Sequence, residues 1–302
     1  MKNNLKNIDV LVCGRATVDI IMNVDSFTNK PIKNFASNFV FTTGGPAANA
    51  SIAIARQNSK VSLITKLGND FLGEFILKNL KNENIDIEQK IISNNANSSS
   101  SIALIDKNGE RQTINYPGDG FLSITKELFS NFHPKIVLAD NRYNDITRFA
   151  LEFANVNKIP AVLDAESPFD KNVAKYATHI AFSMQGFKNF ISFKDINNAL
   201  KVAQNELKCW ICVTDGENGV FICDKKNNVN HVKAFKINAV DTVGAGDIWH
   251  GIFAMKLADG LKENEAVLYA NAVSAIKCSK FGGINSCPNK EESQKFILDQ
   301  KL

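Results

Sequence analysis

The heptad Asp241-Thr242-Val243-Gly244-Ala245-Gly246-Asp247 lies between a short apolar run, Phe235–Val240, and a longer run of helical character, Ile248–Leu257. We predict a strand for the first run and a helix for the second. Glycines at 244 and 246 let the backbone turn tightly and leave room for a ligand. The first N–H groups of a helix lack intrahelical partners and carry partial positive charge. The turn therefore predicts an anion site, most naturally for a phosphoryl group in transit.

Asp247 directly follows these glycines, where a carboxylate can meet a hydroxyl that attacks the bound phosphoryl group. A carboxylate of pKa about 4 orients an alcohol and accepts its proton late in the transfer. The residues alone leave a structural alternative open. A carboxylate in the first turn of a helix also interacts favourably with the helix dipole.

The overall composition restricts the classes of protein to consider. At 302 residues, the chain can form one large α/β domain or two ordinary ones. The net charge of +4 is small and spread along the chain, which argues against nucleic acid as a partner. The sequence has no apolar run of about 18 residues and no signal-peptide pattern, so we expect a cytoplasmic protein without a membrane segment. Six cysteines do not make a disulfide scaffold, and we expect Cys209 and Cys212 to pack on opposite faces of a strand.

Two kinds of sheet are predicted along the chain. From residue 134 onward, strand-like runs alternate with helical runs, which is typical of a parallel sheet with helices on both faces. The apolar run Ile8–Cys13 predicts a further buried parallel strand. Thr17–Val24, Lys33–Thr42 and a hairpin over residues 98–116, turning at Asn108-Gly109, predict a second, four-stranded sheet.

The heptad resembles the DTxGAGD motif of the ribokinase-like (PfkB-type) sugar kinases, and Gly44-Gly45-Pro46-Ala47-Ala48-Asn49 resembles a second motif of that family. The likeness extends through most of the chain. It implies one ribokinase-like α/β domain over residues 1–302, with a mostly parallel central sheet and helices on both faces. It also implies a small projecting β-sheet lid, inserted from about 15–43 and 84–117. The resemblance further implies ATP as phosphoryl donor, Mg²⁺ as cofactor, Asp247 as catalytic base, and an anion hole formed by the amides of Gly244, Ala245 and Gly246.

The same resemblance assigns the two substrates to opposite sides of this turn. Asp19 holds sugar hydroxyls, and Gly44, Gly45 and Asn49 line the sugar pocket; a buried structural aspartate is the alternative for Asp19. Residues 214–219 are similar to the family's T-x-G-x-x-G sequence, which places the ATP phosphates near Thr214, Gly216 and Gly219, with Asn271 bordering the adenine pocket. Ordinary turn and helix positions are the alternative for these four.

Two further partners follow from the resemblance and from the sheet pattern. Many family members bind a monovalent cation, K⁺, through carbonyls around Asp241 and a late loop that here contains Gly282-Gly283. The apolar face of the lid must be covered by sugar, by the rest of the protein or by a second subunit. We therefore expect a homodimer through the lid.

One departure from the family concerns the metal. Many members carry N-x-x-E for Mg²⁺ and its waters, but the corresponding stretch here, residues 182–186, reads Phe-Ser-Met-Gln-Gly. Asp164 and Glu166, one strand earlier, are the nearest acidic pair that could replace it. The loss also leaves open a non-catalytic sugar-binding regulator, against which the intact Asp247 argues.

Three more residues indicate the sugar. Lys33, Asn115 and Arg142 stand in stretches similar to those of the sulfofructose-phosphorylating members, in which a lysine, an asparagine and an arginine bind the sulfonate. A sulfonate keeps its charge at cellular pH and offers three acceptor oxygens, which suits two cations and an amide. We expect phosphorylation of 6-deoxy-6-sulfofructose at its 1-hydroxyl. A fructose or ketohexose kinase is the alternative, and a ribose or nucleoside kinase is the third.

Overall fold

The structure, a computed structural model, describes residues 5–107 and 109–300. Its largest element is a sheet in which six parallel strands are extended by two antiparallel ones, so the predicted mostly parallel sheet is confirmed. In spatial order the strands are β14 (Val229–Val232), β13 (Val220–Cys223), β12 (Trp210–Thr214), β11 (His179–Ser183), β10 (Ala161–Ala165), β9 (Phe132–Asp140), β1 (Lys6–Cys13) and β4 (Val61–Ile64).

Helices cover both faces of this sheet, as predicted. Cys212 of β12 packs into one hydrophobic cluster and Cys209, the residue before that strand, packs into the other, so the predicted packing on opposite faces is confirmed. Within residues 5–107 and 109–300, no helix is both long and apolar enough to cross a membrane. The helices are α1 (Pro46–Arg56), α2 (Phe71–Asn82), α3 (Asn144–Val156), α4 (Lys171–Ala174), α5 (Met184–Phe190), α6 (Ile196–Leu207), α7 (Ala245–Ala258), α8 (Glu263–Cys278) and α9 (Lys290–Asp299).

Helix α7 is surrounded by protein, because every residue from Ile248 to Met255 is buried. A helix that is apolar on all sides belongs in the interior of a domain. Its Gly251 lies against α1: a Cβ there would be 2.7 Å from the carbonyl oxygen of Ala50. The two helix backbones therefore touch at this point, and a side chain larger than hydrogen does not fit.

Four strands form a second sheet, which we call the small sheet, in the order β3 (Ala36–Gly44), β2 (Thr17–Val24), β7 (Ser100–Ile105) and β8 (Arg111–Tyr116). The four predicted strands are confirmed, although β3 begins at Ala36 rather than at Lys33. Ile105 pairs with Arg111, so residues 106–110 connect the hairpin. Asn108 of the predicted turn lies outside the described residues. A short parallel pair, β5 (Lys66–Gly68) and β6 (Ile91–Ser93), completes the strands.

The predicted strand Phe235–Val240 is wrong, since this segment pairs with neither sheet. The amides of Val240 and Asp241 donate instead to the carbonyl of Cys278, at 2.7 and 3.2 Å, which anchors the segment to the end of α8. The heptad therefore does not follow a strand. Helix α7 begins at Ala245, inside the heptad, rather than at Ile248.

Candidate active site

The turn 241–247 is held in shape by its first residue. Oδ1 of Asp241 accepts a hydrogen bond from the amide of Val243 at 2.8 Å. Gly244 adopts a φ of 73° and precedes α7, and the amide of Ala245 makes only a long bond, 3.3 Å, to the carbonyl of Thr242. Gly246 is exposed, with open space where a Cβ would point. The first turn of α7 is thus accessible to an anion, as the pattern predicts.

Asp247 stands in that first turn, half-buried, and is tied to α1. Its Oδ2 accepts a hydrogen bond from Nδ2 of the buried Asn49 at 2.8 Å. Burial, reinforced by the negative charge of Asp164, raises the pKa of Asp247 to about 6, although the Asn49 bond opposes the shift. A base whose pKa lies near the working pH accepts a proton more readily than an ordinary carboxylate does.

The four residues predicted to line the sugar pocket lie where β2, β3 and α1 meet. Asp19 is buried in β2, where its Oδ1 accepts a hydrogen bond from the hydroxyl of Thr17 at 2.7 Å, and burial raises its pKa. At Gly44, the last residue of β3, a Cβ would lie 1.9 Å from Oδ2 of Asp19. Gly45 has a φ of 86° and begins the turn into α1, which presents Asn49. These four predicted residues are therefore brought together.

The register of the small sheet determines which of the predicted sulfonate ligands lie near Asp19. Asp19 pairs with Ser101, and Ser101 pairs with Asn115, so all three point to the same face. Two strand spacings put Asn115 about 10 Å from Asp19. Lys33 is exposed in the loop that leaves β2 at Val24, at the end of the strand away from Gly44. Five residues of extended chain, about 17 Å, separate Val24 from Asp19, so the structure does not bring Lys33 to this row.

Two arginines lie beside the site, one of which the sequence did not suggest. Arg142, exposed after β9, and Arg15, half-buried after β1, both line a cleft of about 520 Å³. Their amides donate to the two carboxylate oxygens of the buried Asp140, at 2.9 and 2.8 Å. Nε of Arg15 is buried without a hydrogen-bond partner. The position of Arg15 at the carboxyl end of a parallel strand is the signal that could have found it.

Burial raises the pKa of Asp140 to about 7, the two amide bonds notwithstanding. The Asp140 carboxyl fits here only because residue 14 is glycine: a Cβ at Gly14 would lie 2.1 Å from Oδ2 of Asp140. A carboxyl that is only partly ionised compensates the neighbouring guanidinium groups poorly. Two guanidinium groups and one carboxylate, that of Asp170, line the cleft, so its charged side chains carry a net positive charge.

The acidic pair predicted for Mg²⁺ is split by the structure. Asp164 is buried, with its Oδ1 3.3 Å from Nδ1 of His250 on α7. Burial opposes both charges, yet their mutual attraction lowers the pKa of Asp164 and raises that of His250. Glu166 is half-buried, and its Oε2 lies 3.2 Å from the place of a Cβ at Gly186, within the stretch that departs from N-x-x-E. Among the described residues, no three His, Cys, Asp or Glu side chains form a metal-binding group.

On the other side of the turn, the predicted nucleotide segment follows β12. Thr214 ends this strand, and its hydroxyl donates to the carbonyl of Phe182 at 3.4 Å. Gly216 has a φ of 51° and open space beside it, whereas a Cβ at Gly219 would lie 2.2 Å from the carbonyl oxygen of Val232. Gly216 is thus free to approach a phosphate, while the absence of a side chain at Gly219 is also required by packing.

Asn271 is buried in α8, where both ends of its amide group already have partners. Oδ1 accepts from the indole N–H of Trp249 at 2.8 Å, and Nδ2 donates to the carbonyl of Lys233 at 3.2 Å. These bonds join α8 to α7 and to the segment before the heptad. Contact between Asn271 and adenine remains a prediction. The two hydrogen bonds give Asn271 a structural role as well.

The parallel sheet, the accessible first turn of α7 and the carboxyl of raised pKa suit an enzyme that transfers a phosphoryl group to an alcohol. Residues 7–290 match the model of the pfkB family carbohydrate kinases. The chain belongs to this family and is an ATP-dependent carbohydrate kinase.

Individual relatives agree with this assignment over nearly the full length. The ribokinase of Dictyostelium discoideum is 27% identical, in a match that covers 97% of this chain and 99% of that protein. The crystal structure of a "putative ribokinase" from Agrobacterium tumefaciens is 27% identical, with a TM-score of 0.90 over 98% of this chain and 100% of that chain. The structure of Arabidopsis thaliana ribokinase complexed with ribose and ATP is 19% identical, with a TM-score of 0.83 over 97% of this chain and 99% of that chain, and shares the fold.

Proposed function

We propose that this kinase phosphorylates a primary hydroxyl of an anionic ketose, converting 6-deoxy-6-sulfofructose to its 1-phosphate. The observation that carries the proposal is the pair of guanidinium groups, Arg15 and Arg142, on one cleft. Within the part of the chain that the structure describes, neither group has an ion-pair partner. An anion with three acceptor oxygens would supply that partner.

The cation set of the proposal differs from the one first expected. Arg142 and Asn115 are kept, because the hydroxyl of Tyr143 lies 3.2 Å from that of Ser99, the residue before β7, and so holds the Arg142 loop beside the small sheet. Lys33 is replaced by Arg15. Burial lowers the pKa of the Arg15 guanidinium group, and nearby carboxylates, Asp247 among them, oppose this shift, which supports a position for Arg15 near the reacting hydroxyl.

In the proposed reaction, the 1-hydroxyl oxygen bonds to the γ-phosphorus while the bond to the β–γ bridging oxygen breaks, and ADP leaves. The hydroxyl proton passes to the carboxylate of Asp247. The amides of Gly244, Ala245 and Gly246 stabilise the oxygens of the phosphoryl group in transit. Thr214, Gly216, Gly219 and Asn271 hold the nucleotide.

Mg²⁺ bound with ATP supplies charge compensation on the phosphates. The donor set supports Glu166 as its carboxylate partner, because this side chain reaches Gly186 in the first turn of α5, within the stretch that corresponds to the family's N-x-x-E. Asp164 would contribute only if it left His250, its neighbour at 3.3 Å. We therefore propose that Glu166 contacts Mg²⁺ directly and that the buried Asp164 contributes negative charge behind it.

Ribose is the second candidate acceptor, because several relatives, including the Dictyostelium discoideum protein, are named ribokinase. The pocket of Asp19, Gly44, Gly45 and Asn49 would serve either sugar, so the arginine cleft is what distinguishes them. Fructose and a nucleoside rank below these two. A sugar-binding regulator without activity ranks last, because Asp247 is present with a pKa suited to a base.

We also propose that the chain forms one domain in which the small sheet acts as a lid, and that it dimerises through that sheet. The face turned away from Asp19 carries large exposed apolar side chains, including Phe39, Ile102 and Ile114. A second copy would cover them. Since ATP is the donor, we propose that the enzyme acts in the cytoplasm.

The test is an ATP-consumption screen of sulfofructose, fructose, fructose 6-phosphate, ribose and adenosine. The wild type should prefer sulfofructose, and Arg15→Ala or Arg142→Ala should lower kcat/KM for it by roughly 30-fold, as for a charge-assisted contact. Their effect on fructose should be much smaller. Arg148→Ala, which removes an exposed arginine outside the cleft, is the matched control. A preference for ribose or fructose, or equal losses for both sugars, would overturn the sulfonate assignment.

A further inference from the structure

A buried lysine lies beneath the anion-binding turn. Lys277, near the end of α8, has no exposed surface. Its ammonium group donates to the carbonyl oxygen of Asp241 at 2.7 Å and lies 3.2 Å from Oδ1 of the same residue. Lysine is almost never fully buried unless its charge is compensated, and here both compensating oxygens belong to the first residue of the heptad.

Asp241 joins this ammonium to two loops. Its Oδ1 accepts the amide of Val243 within the turn, and its Oδ2 accepts the amides of Gly282 and Gly283, at 3.0 and 2.7 Å, from the loop after α8. The hydroxyl of Ser286 donates to the carbonyl of Gly283 at 2.8 Å, which fixes the same loop further along. The ammonium thus lies where the catalytic turn and the late loop are fastened together.

This place is the one in which the family resemblance implies a monovalent cation, held by carbonyls around Asp241 and the late loop. The residues present do not fit a free ion there. The Asp241 carbonyl and carboxylate already receive one positive charge from Lys277, and a second cation on the same oxygens would be repelled strongly in a dry site. Burial lowers the pKa of Lys277, and the contacts with Asp241 oppose this by favouring the ammonium form.

We propose that the Lys277 ammonium is a tethered substitute for the monovalent cation, so that this kinase needs no K⁺. An ammonium group carries the same charge as K⁺ and directs its hydrogens at oxygen atoms that would otherwise coordinate the metal. Lys277 is a positioning residue: it holds Asp241, and through it the turn that presents the anion-binding amides. No step of the phosphoryl transfer passes through it.

The first test uses the wild-type enzyme in tetramethylammonium chloride and in KCl, both at about 0.1 M so that screening is equal. Turnover of the best acceptor from the screen should agree within about twofold between the two salts, since the charge that K⁺ would bring is already present. An activation of tenfold or more by KCl would overturn the proposal, because a rate change of that size corresponds to one missing charge-assisted contact. The comparison holds for any accepted sugar, so it does not depend on the sulfonate assignment.

The second test removes the tethered charge. Lys277→Ala should lower kcat/KM by about 10- to 100-fold in tetramethylammonium chloride, the effect of one buried charge-assisted bond, and KCl or NH₄Cl should restore much of it. Lys277→Met keeps the chain length and fills the space, so neither salt should rescue it. Lys280→Ala removes a nearby exposed lysine paired with Glu292 and should show no salt dependence.

The thermal unfolding midpoint, measured without sugar or nucleotide, gives a readout independent of activity. KCl should raise the midpoint of Lys277→Ala by several degrees over tetramethylammonium chloride, because a bound ion stabilises the folded state, and should leave wild type unchanged. Equal midpoints of the alanine variant in both salts, together with no rescue of its activity, would show that no cation takes the vacated place. That result would overturn the proposal that Lys277 takes the place of the cation and would leave it an ordinary packing residue.

Discussion

Replacing Asp247 by Asn should make the free protein more stable at neutral pH while it destroys activity. The pKa of Asp247 in the fold is about 6, whereas that of an ordinary aspartate is 3.8. A raised folded-state pKa means that the protein loses stability as the pH rises from about 4 to above 6, because the buried carboxyl must ionise. This difference in pKa corresponds to at most about 3 kcal/mol, and partial exposure of the side chain reduces it to roughly 1–2 kcal/mol.

The amide of the variant is close to isosteric with the carboxylate and can offer its oxygen to Nδ2 of Asn49, which now lies 2.8 Å from Oδ2. Asp247→Asn should therefore gain about 1–2 kcal/mol in the free energy of unfolding at pH 7.5 and almost nothing at pH 4. Its kcat should fall by at least about 100-fold, the usual loss for a general base. Urea denaturation at the two pH values, together with ATP consumption, measures both effects.

A matched control is Asp259→Asn, an aspartate just beyond the end of α7 that pairs with Lys256 on the surface. This change should alter stability by less than about 1 kcal/mol at either pH, as is usual for an exposed ion pair. If Asp247→Asn were equally destabilised at both pH values, or kept activity within a few-fold of wild type, the carboxyl would be neither a strained base nor the proton acceptor, and the reasoning would fail.

Three other outcomes are expected. Gly44→Ala should displace the Asp19 carboxylate, which lies 1.9 Å from the new Cβ, and so raise the KM for sugar far more than that for ATP in steady-state kinetics. His250→Ala should cost about 3–5 kcal/mol in chemical denaturation, because it strands a buried carboxylate, and adding Asp164→Asn should recover much of the loss. In KM measurements with ATP, Gly216→Ala should weaken nucleotide binding with little change in melting temperature, since its φ of 51° strains only the exposed turn.

The strands of both sheets could be predicted because alternation and apolar runs are local signals. Phe235–Val240 is also an apolar run, but it is apolar because it packs on a helix. The ring of Phe235 lies against that of Phe296 in α9, with centroids 5.4 Å apart, so the apolar residue marks a helix contact and not a strand. Its tethering to Cys278 depends on residues far along the chain, which no local pattern records.

The candidate site was predictable where motifs supply it, at Asp247, Asn49, Gly44 and Asp19. The cleft lined by Arg15 and Arg142 was not, because which cations face it depends on which strands are neighbours. Cys13 of β1 pairs with Ala139 of β9, and this register places Arg15 beside Arg142. Lys33 was predicted as a sulfonate ligand only because the residues around it resemble those of the family. Its loop follows the far end of β2 and so lies away from Asp19.

The touching backbones of α1 and α7 at Gly251 and Ala50 have a consequence for how the enzyme can open. Asn49 precedes Ala50, and Asp247 lies one helical turn before Gly251, so the proposed base and its hydrogen-bond donor stand on two helices whose backbones touch. Asp19 is carried by the small sheet instead. If the small sheet moves as the proposed lid, it would carry Asp19 away from Asp247 and leave the Asn49–Asp247 hydrogen bond intact, so that product could leave without breaking that bond.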